Sequence, residues 1–107
     1  MIVLGIDPGS RITGYGVVEK NGHGLIHVDN GCIKPKGTLP LAERLVVIYQ
    51  GLMEAIQRFQ PDQVALEEVF FAKNPSSALK LGESRGVALL AAAQAGVAIF
   101  EYSARAV

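Results

Sequence analysis

Apolar residues recur along this chain with two different periods, and turn residues mark where the period changes. Ile2 to Ile6 is a short run of β-formers closed by Asp7-Pro8-Gly9-Ser10, a dense turn signal. A second strand is expected from about Gly14 to Lys20, with Asn21-Gly22 as a hairpin turn after it. A third runs from Leu25 to Ile33, with Ile26 and Val28 on one side and His27 and Asp29 on the other. Such alternation suits a sheet with one face partly open. The first third of the chain therefore reads as an antiparallel three-strand meander.

Beyond the loop from Lys34 to Pro40 the period lengthens. Leu41, Leu45, Ile48, Leu52, Ile56 and Phe59 recur every three or four residues, which predicts an amphipathic helix laying one stripe on the sheet. Gln60-Pro61-Asp62 ends it, because the residue before a proline is pushed out of the helical region. Gln63 to Val69 is the next strand. A second helix begins near Pro75, capped by Asn74, and runs to about Gly96. Val97 to Tyr102 is a further strand, and Ser103 has the character of a cap for another helix. The second helix carries Lys80, Glu83 and Arg85 in its first half but is small and apolar all round from Gly86, apart from Gln94. A helix of that kind is buried on more than one side, by the sheet and neighbouring helices or by another subunit. The expected class is α/β: a mixed sheet made of a meander followed by β-α-β units.

Composition narrows the class of protein. With 107 residues the chain makes one small domain, and a 50% hydrophobic content excludes disorder. Ten basic and ten acidic side chains cancel, so any polyanion-binding surface has to be local. Cys32 is the single cysteine, which excludes an internal disulfide and a cysteine zinc cage; a lone thiol is expected to be a small buried hydrophobe. Met1 to Ile6 is apolar but lacks a basic start and meets Asp7 too soon for a signal peptide. The uncharged stretch from Gly86 to Phe100 is shorter than the roughly 20 apolar residues of a membrane helix. A cytoplasmic protein without membrane attachment is the expectation.

Three segments could carry chemistry. Asp7 follows an apolar strand, where ligands bind in α/β sheets, although an Asp-Pro-Gly turn also forms when the acid merely caps its own backbone. Gly14 and Gly16 clear side chains from the facing strand, as where a ligand or another backbone approaches closely. Glu67 and Glu68 end an otherwise apolar strand and point to opposite faces, so at most one can join Asp7. Taken alone, the two acids read first as a partly solvated strand end with both at the surface. Phe70, Phe71 and Lys73 come next, two rings and an ammonium that could stack on unpaired bases and meet phosphate; strand parity would instead send one ring to the core. Lys80 lies seven residues after Lys73, with Arg85 near the same helix face. A basic face on a neutral protein is often simply solvated.

Taken together, these segments resemble the RuvC-type Holliday junction resolvases, endonucleases of the RNase H-like superfamily. The resemblance rests on Gly5-Ile6-Asp7-Pro8-Gly9-Ser10-Arg11, Thr13-Gly14-Tyr15-Gly16-Val17 and Asn30-Gly31-Cys32-Ile33. It continues through Leu66-Glu67-Glu68-Val69-Phe70, Ala72-Lys73-Asn74, Ser77-Ala78-Leu79-Lys80-Leu81-Gly82 and Glu101-Tyr102. It implies an RNase H-like mixed sheet and a four-carboxylate magnesium nuclease that resolves four-way DNA junctions in recombination and repair. Asp7 and Glu67 would be catalytic metal ligands, and two ions ~3.5–4 Å apart would drive in-line attack on phosphate. Mg²⁺ would be the native ion, with Mn²⁺ able to substitute. Phe70 matches the aromatic set against unpaired bases, with Phe71, Lys73, Lys80 and Arg85 as further candidate DNA contacts. The implied partners are junction DNA, a second copy in a symmetric homodimer, and a branch-migration motor complex.

The resemblance also implies two further acidic ligands on a later helix. Residues 1–107 are therefore expected to be a single nuclease domain truncated at its C-terminus, with little activity of its own. Two rival readings remain: a non-catalytic nucleic-acid-binding module of the same fold, and an actin/sugar-kinase-like phosphotransferase, which opens on a similar Gly-Ile-Asp-x-Gly. The kinase would need a second phosphate loop and an adenosine site, for which 107 residues leave no room.

Overall fold

The computed structural model describes residues 1–68 and 74–103. Five strands and two helices follow in the order β1 (Ile2–Asp7), β2 (Thr13–Asn21), β3 (Gly24–Ile33), α1 (Leu41–Phe59), β4 (Gln63–Glu68), α2 (Pro75–Gln94) and β5 (Ala98–Ser103). The strands form one mixed sheet in the order β3-β2-β1-β4-β5. β1, β2 and β3 are the antiparallel meander, while β4 joins β1 and β5 joins β4 in parallel. This is the α/β mixed sheet that the changing period predicts. Among the described residues, no helix is long and apolar enough to cross a membrane.

Both helices lie against one face of the sheet and against each other. Leu4 and Ile6 of β1, Val17 of β2, and Val64 and Leu66 of β4 are buried there beneath Ile48, Leu52 and Ile56 of α1 and Ala88, Ala91 and Ala92 of α2. Burying each large aliphatic side chain is worth ~1.5–3 kcal/mol. That burial holds α1 in place, since its N-cap is Pro40 and makes no side-chain cap bond. α2 begins with a capped turn: the Asn74 side chain accepts from Ser77 N at 2.9 Å, with Pro75 in the first turn. Gly51 lets α1 approach β3, because a Cβ there would come within 2.7 Å of the Ile33 side chain.

The register of β1 against β4 is anchored at the start of β1. Asp62, between α1 and β4, accepts from Ile2 N through its carboxylate and donates its own N–H to Ile2 O, both at 2.8 Å. From there Val3 pairs with Gln63 and the match runs to Ile6 with Leu66.

Two expectations need correction. His27 and Asp29 do not share a face: Val17 pairs with Asp29 but Val18 with His27, so Val28 is the extra residue of a β-bulge and the alternation reverses there. Cys32 is exposed, not buried; it lies on edge strand β3 opposite Gly14, which has no side chain to cover it. Among the described residues of the single chain, α2 is covered on the side of Ser84, Ala88, Ala91 and Ala92, while Leu79 and Leu90 are 66% and 51% exposed, which leaves the second side to the subunit alternative. Ser103 closes β5 in its backbone, and the helix expected after it lies outside the described residues.

Candidate functional site

The ends of β1, β3, β4 and β5 and the start of β2 all fall at one end of the sheet. Ile6 and Leu66 are paired and buried on the helix-covered face. One residue further along each strand, Asp7 and Glu67 turn to the opposite, open face, and both are exposed. Adjacent strands lie ~4.8 Å apart, so the register carried one residue past the Ile6–Leu66 pair sets the Asp7 and Glu67 backbones side by side. Parity in two separate strands and the Asp62 anchor together produce that juxtaposition. Glu67 is the glutamate brought level with Asp7.

Small residues surround the pair. Asp7 faces Gly14 across β2, and behind it Gly5 faces Gly16 on one side and Ala65 on the other. A Cβ added at Gly14 or Gly16 would touch nothing within 4 Å, so the open face is bare beside the acids. On the far side, Tyr102 of β5 is level with Glu67 and Phe100 with Ala65, 45% and 52% exposed. Tyr102 is the neighbour that the sequence reading did not select. Counting parity along β5 from Ile99, which packs on the core, would have put it on this face.

The loop after Asp7 is fixed by Thr13, a buried residue of β2 with no exposed surface. Its hydroxyl accepts from Gly9 N at 3.2 Å and donates to Gly9 O at 2.8 Å. A side chain at position 9 would collide with the carbonyl oxygen of Ile12, which restricts the position to glycine. Pro8 is buried. The turn that carries Asp7 is therefore held from both sides.

The remaining candidates fare differently. Lys80 is exposed on α2. Arg85 is turned toward β5, where its guanidinium meets Glu101 at 3.0 Å; its side chain is 19% exposed and its Nε is buried without a partner. Phe70, Phe71 and Lys73 lie outside the described residues. The donor chemistry of Asp7 and Glu67, two exposed carboxylates, fits a hard oxygen-preferring cation such as Mg²⁺. Among the described residues no group of three or more His, Cys, Asp or Glu stands together, so the pair is a partial donor set.

Comparison with known proteins assigns the family. The family model described as crossover junction endodeoxyribonuclease RuvC matches residues 3–107. The chain belongs to the RuvC family. A RuvC from Psychromonas ingrahamii is 55% identical over 104 residues, covering 97% of this chain and 60% of the relative. Thermus thermophilus RuvC, solved in complex with a Holliday junction substrate, superposes with a TM-score of 0.90 at 35% identity, over 98% of this chain and 67% of that one. The yeast mitochondrial Holliday junction resolvase Ydc2 shares the fold at a TM-score of 0.70 and 15% identity. The chain spans 60–65% of the length of the curated RuvC relatives it matches.

Proposed function

We propose that this RuvC-family chain carries half of the catalytic centre of a magnesium-dependent endonuclease that cuts four-way DNA junctions. The observation that carries the reading is the level placement of Asp7 and Glu67 on an open, glycine-floored face at the ends of β1 and β4. Asp7 and Glu67 would hold the ion, and further acids outside this pair would complete its shell. When bound, the ion supplies Lewis-acid stabilisation of the charge that develops on the scissile phosphate, and Mn²⁺ can take the same place. The chain's own residues do the positioning: Thr13 and Gly9 fix the turn at Asp7, and Gly14 and Gly16 leave room for a phosphodiester backbone. Phe70 and Phe71 would stack on unpaired bases, with Lys73 and Lys80 as candidate phosphate contacts, and Arg85 would join them only on leaving its ion pair with Glu101. A cytoplasmic homodimer would present two such centres to a junction, with a branch-migration motor as a further partner.

Asp7→Asn and Glu67→Gln test this reading in a protein that carries the complete donor set. Each should abolish junction cleavage in Mg²⁺ while leaving junction binding within about twofold, because each removes a metal ligand and no phosphate contact. Loss of binding in both variants would return the pair to a structural role. On the same reading the 107-residue chain alone cleaves little or not at all; a rate equal to that of a longer form would refute the assignment of half a centre.

A further inference from the structure

Net charge is zero, yet the two ends of the sheet differ. At the end that bears Asp7, the β1–β2 loop (8–12) contributes Arg11 and the β3–α1 loop (34–40) contributes Lys34 and Lys36; neither loop contains an acid. All three side chains are exposed. Ion pairs among the described residues are Arg58–Asp29 and Arg85–Glu101, so these three cations have no carboxylate partner there. The pairing of Thr13 with Ile33 sets the two loops side by side. At the opposite end the connections 22–23, 60–62 and 95–97 hold Asp62 and no lysine or arginine.

We infer that Arg11, Lys34 and Lys36 form a phosphate-binding rim that guides one strand of a DNA arm toward Asp7. This inference rests on the junction-nuclease reading and adds a contact surface to it, on the β3 side of the acids, away from Lys80 and Arg85 on α2. Two strand spacings separate β3 from β1, ~10 Å, which is the length of roughly three phosphates at 3.4 Å of rise each. A backbone seated on the rim therefore reaches the carboxylate pair within a few nucleotides. The unpaired cations offset the repulsion that Asp7 and Glu67 exert on an approaching phosphate. Contacts to phosphate carry no base information, so a rim that grips the backbone serves any sequence.

The test is the salt dependence of binding to a labelled four-way junction in EDTA, where a metal-dependent nuclease has no ion with which to cut, between 50 and 250 mM KCl. Each phosphate contact contributes about 0.9 to the slope of log K against log salt, or roughly eightfold in affinity at 0.1 M. The triple variant Arg11→Gln/Lys34→Gln/Lys36→Gln should flatten the slope by about 2 to 3. Each single variant should flatten it by about 1, which keeps the test valid if the triple variant folds less well. Lys20→Gln, toward the far end of β2, should leave the slope unchanged. A triple variant that flattens the slope by less than 1, or a Lys20 variant that flattens it as much as a rim variant, overturns the rim. A wild-type protein that does not bind the junction overturns the underlying reading instead.

Discussion

Replacing Thr13 by valine keeps the shape and branching of the side chain and removes only its hydroxyl. The residue has no exposed surface, and its hydroxyl makes both bonds that tie Gly9 to β2. Two lost hydrogen bonds cost about 1 kcal/mol each, and the stranded N–H and C=O of half-buried Gly9 add up to about another 1 kcal/mol. The additional buried methyl returns less than about 1 kcal/mol. The net expectation is a loss of about 2 kcal/mol, or roughly 10 °C in melting temperature for a domain of this size. Thermal unfolding followed by circular dichroism reads it directly. Thr13→Ser, which keeps the hydroxyl and gives up a methyl, should recover more than half of the loss. A valine variant within about 0.5 kcal/mol of the parent, or a serine variant no better than valine, would show that the hydroxyl does not hold the turn.

Three further outcomes follow from the packing. Asp62→Ala removes the acceptor for Ile2 N at the start of β1 and should cost about 1–2 kcal/mol in urea unfolding, with Asp62→Asn recovering part of it. Gly51→Ala gains helix propensity worth about 1 kcal/mol but drives a methyl into Ile33, so the variant should be destabilised by about 1 kcal/mol net; combining it with Ile33→Val should relieve only the Cδ1 part of the clash, because valine keeps both γ carbons that the methyl meets at 2.7 and 3.0 Å. Arg85→Ala and Glu101→Ala should couple by about 1 kcal/mol in a double-mutant cycle, discounted because Glu101 is 40% exposed; additive effects would show that the 3.0 Å pair contributes nothing.

How far the sequence carries depends on whether a feature is set by one segment or by several. The α1 stripe, the Asn74 cap and the meander are local patterns, and each forms where its periodicity and turn residues put it. The reversal at Val28 was not legible, because a bulge is a property of a pair of strands and neither strand announces it alone. The exposure of Cys32 follows from Gly14 across the ladder and the edge position of β3, both facts of pairing. Strand parity settled that only one of Glu67 and Glu68 could face Asp7. Which one does so required the register, and the Asp62–Ile2 clamp at the far end of the strands fixes that. Tyr102 was missed for the same reason: its place beside Glu67 is written in the β4–β5 register and in nothing within its own segment.

Charge shows the same division more sharply. Ten cations and ten anions sum to zero, a total that argues against a polyanion partner when read as composition. Folding sorts those charges by strand direction, since connections alternate between the two ends of a sheet. Arg11 lies 23 residues before Lys34 in sequence, yet the antiparallel pairing of β2 with β3 brings their loops together. Glu19 and Lys20 are carried away from them by β2, toward the end where Asp62 sits in the α1–β4 connection. Screened interactions decay over about 8 Å at physiological salt, so a phosphate seated on the rim responds to the cations beside it and not to the sum over the chain. The electrostatics that bear on DNA are therefore local, and a neutral domain can present a cationic rim wherever its topology gathers the loops that lack acids.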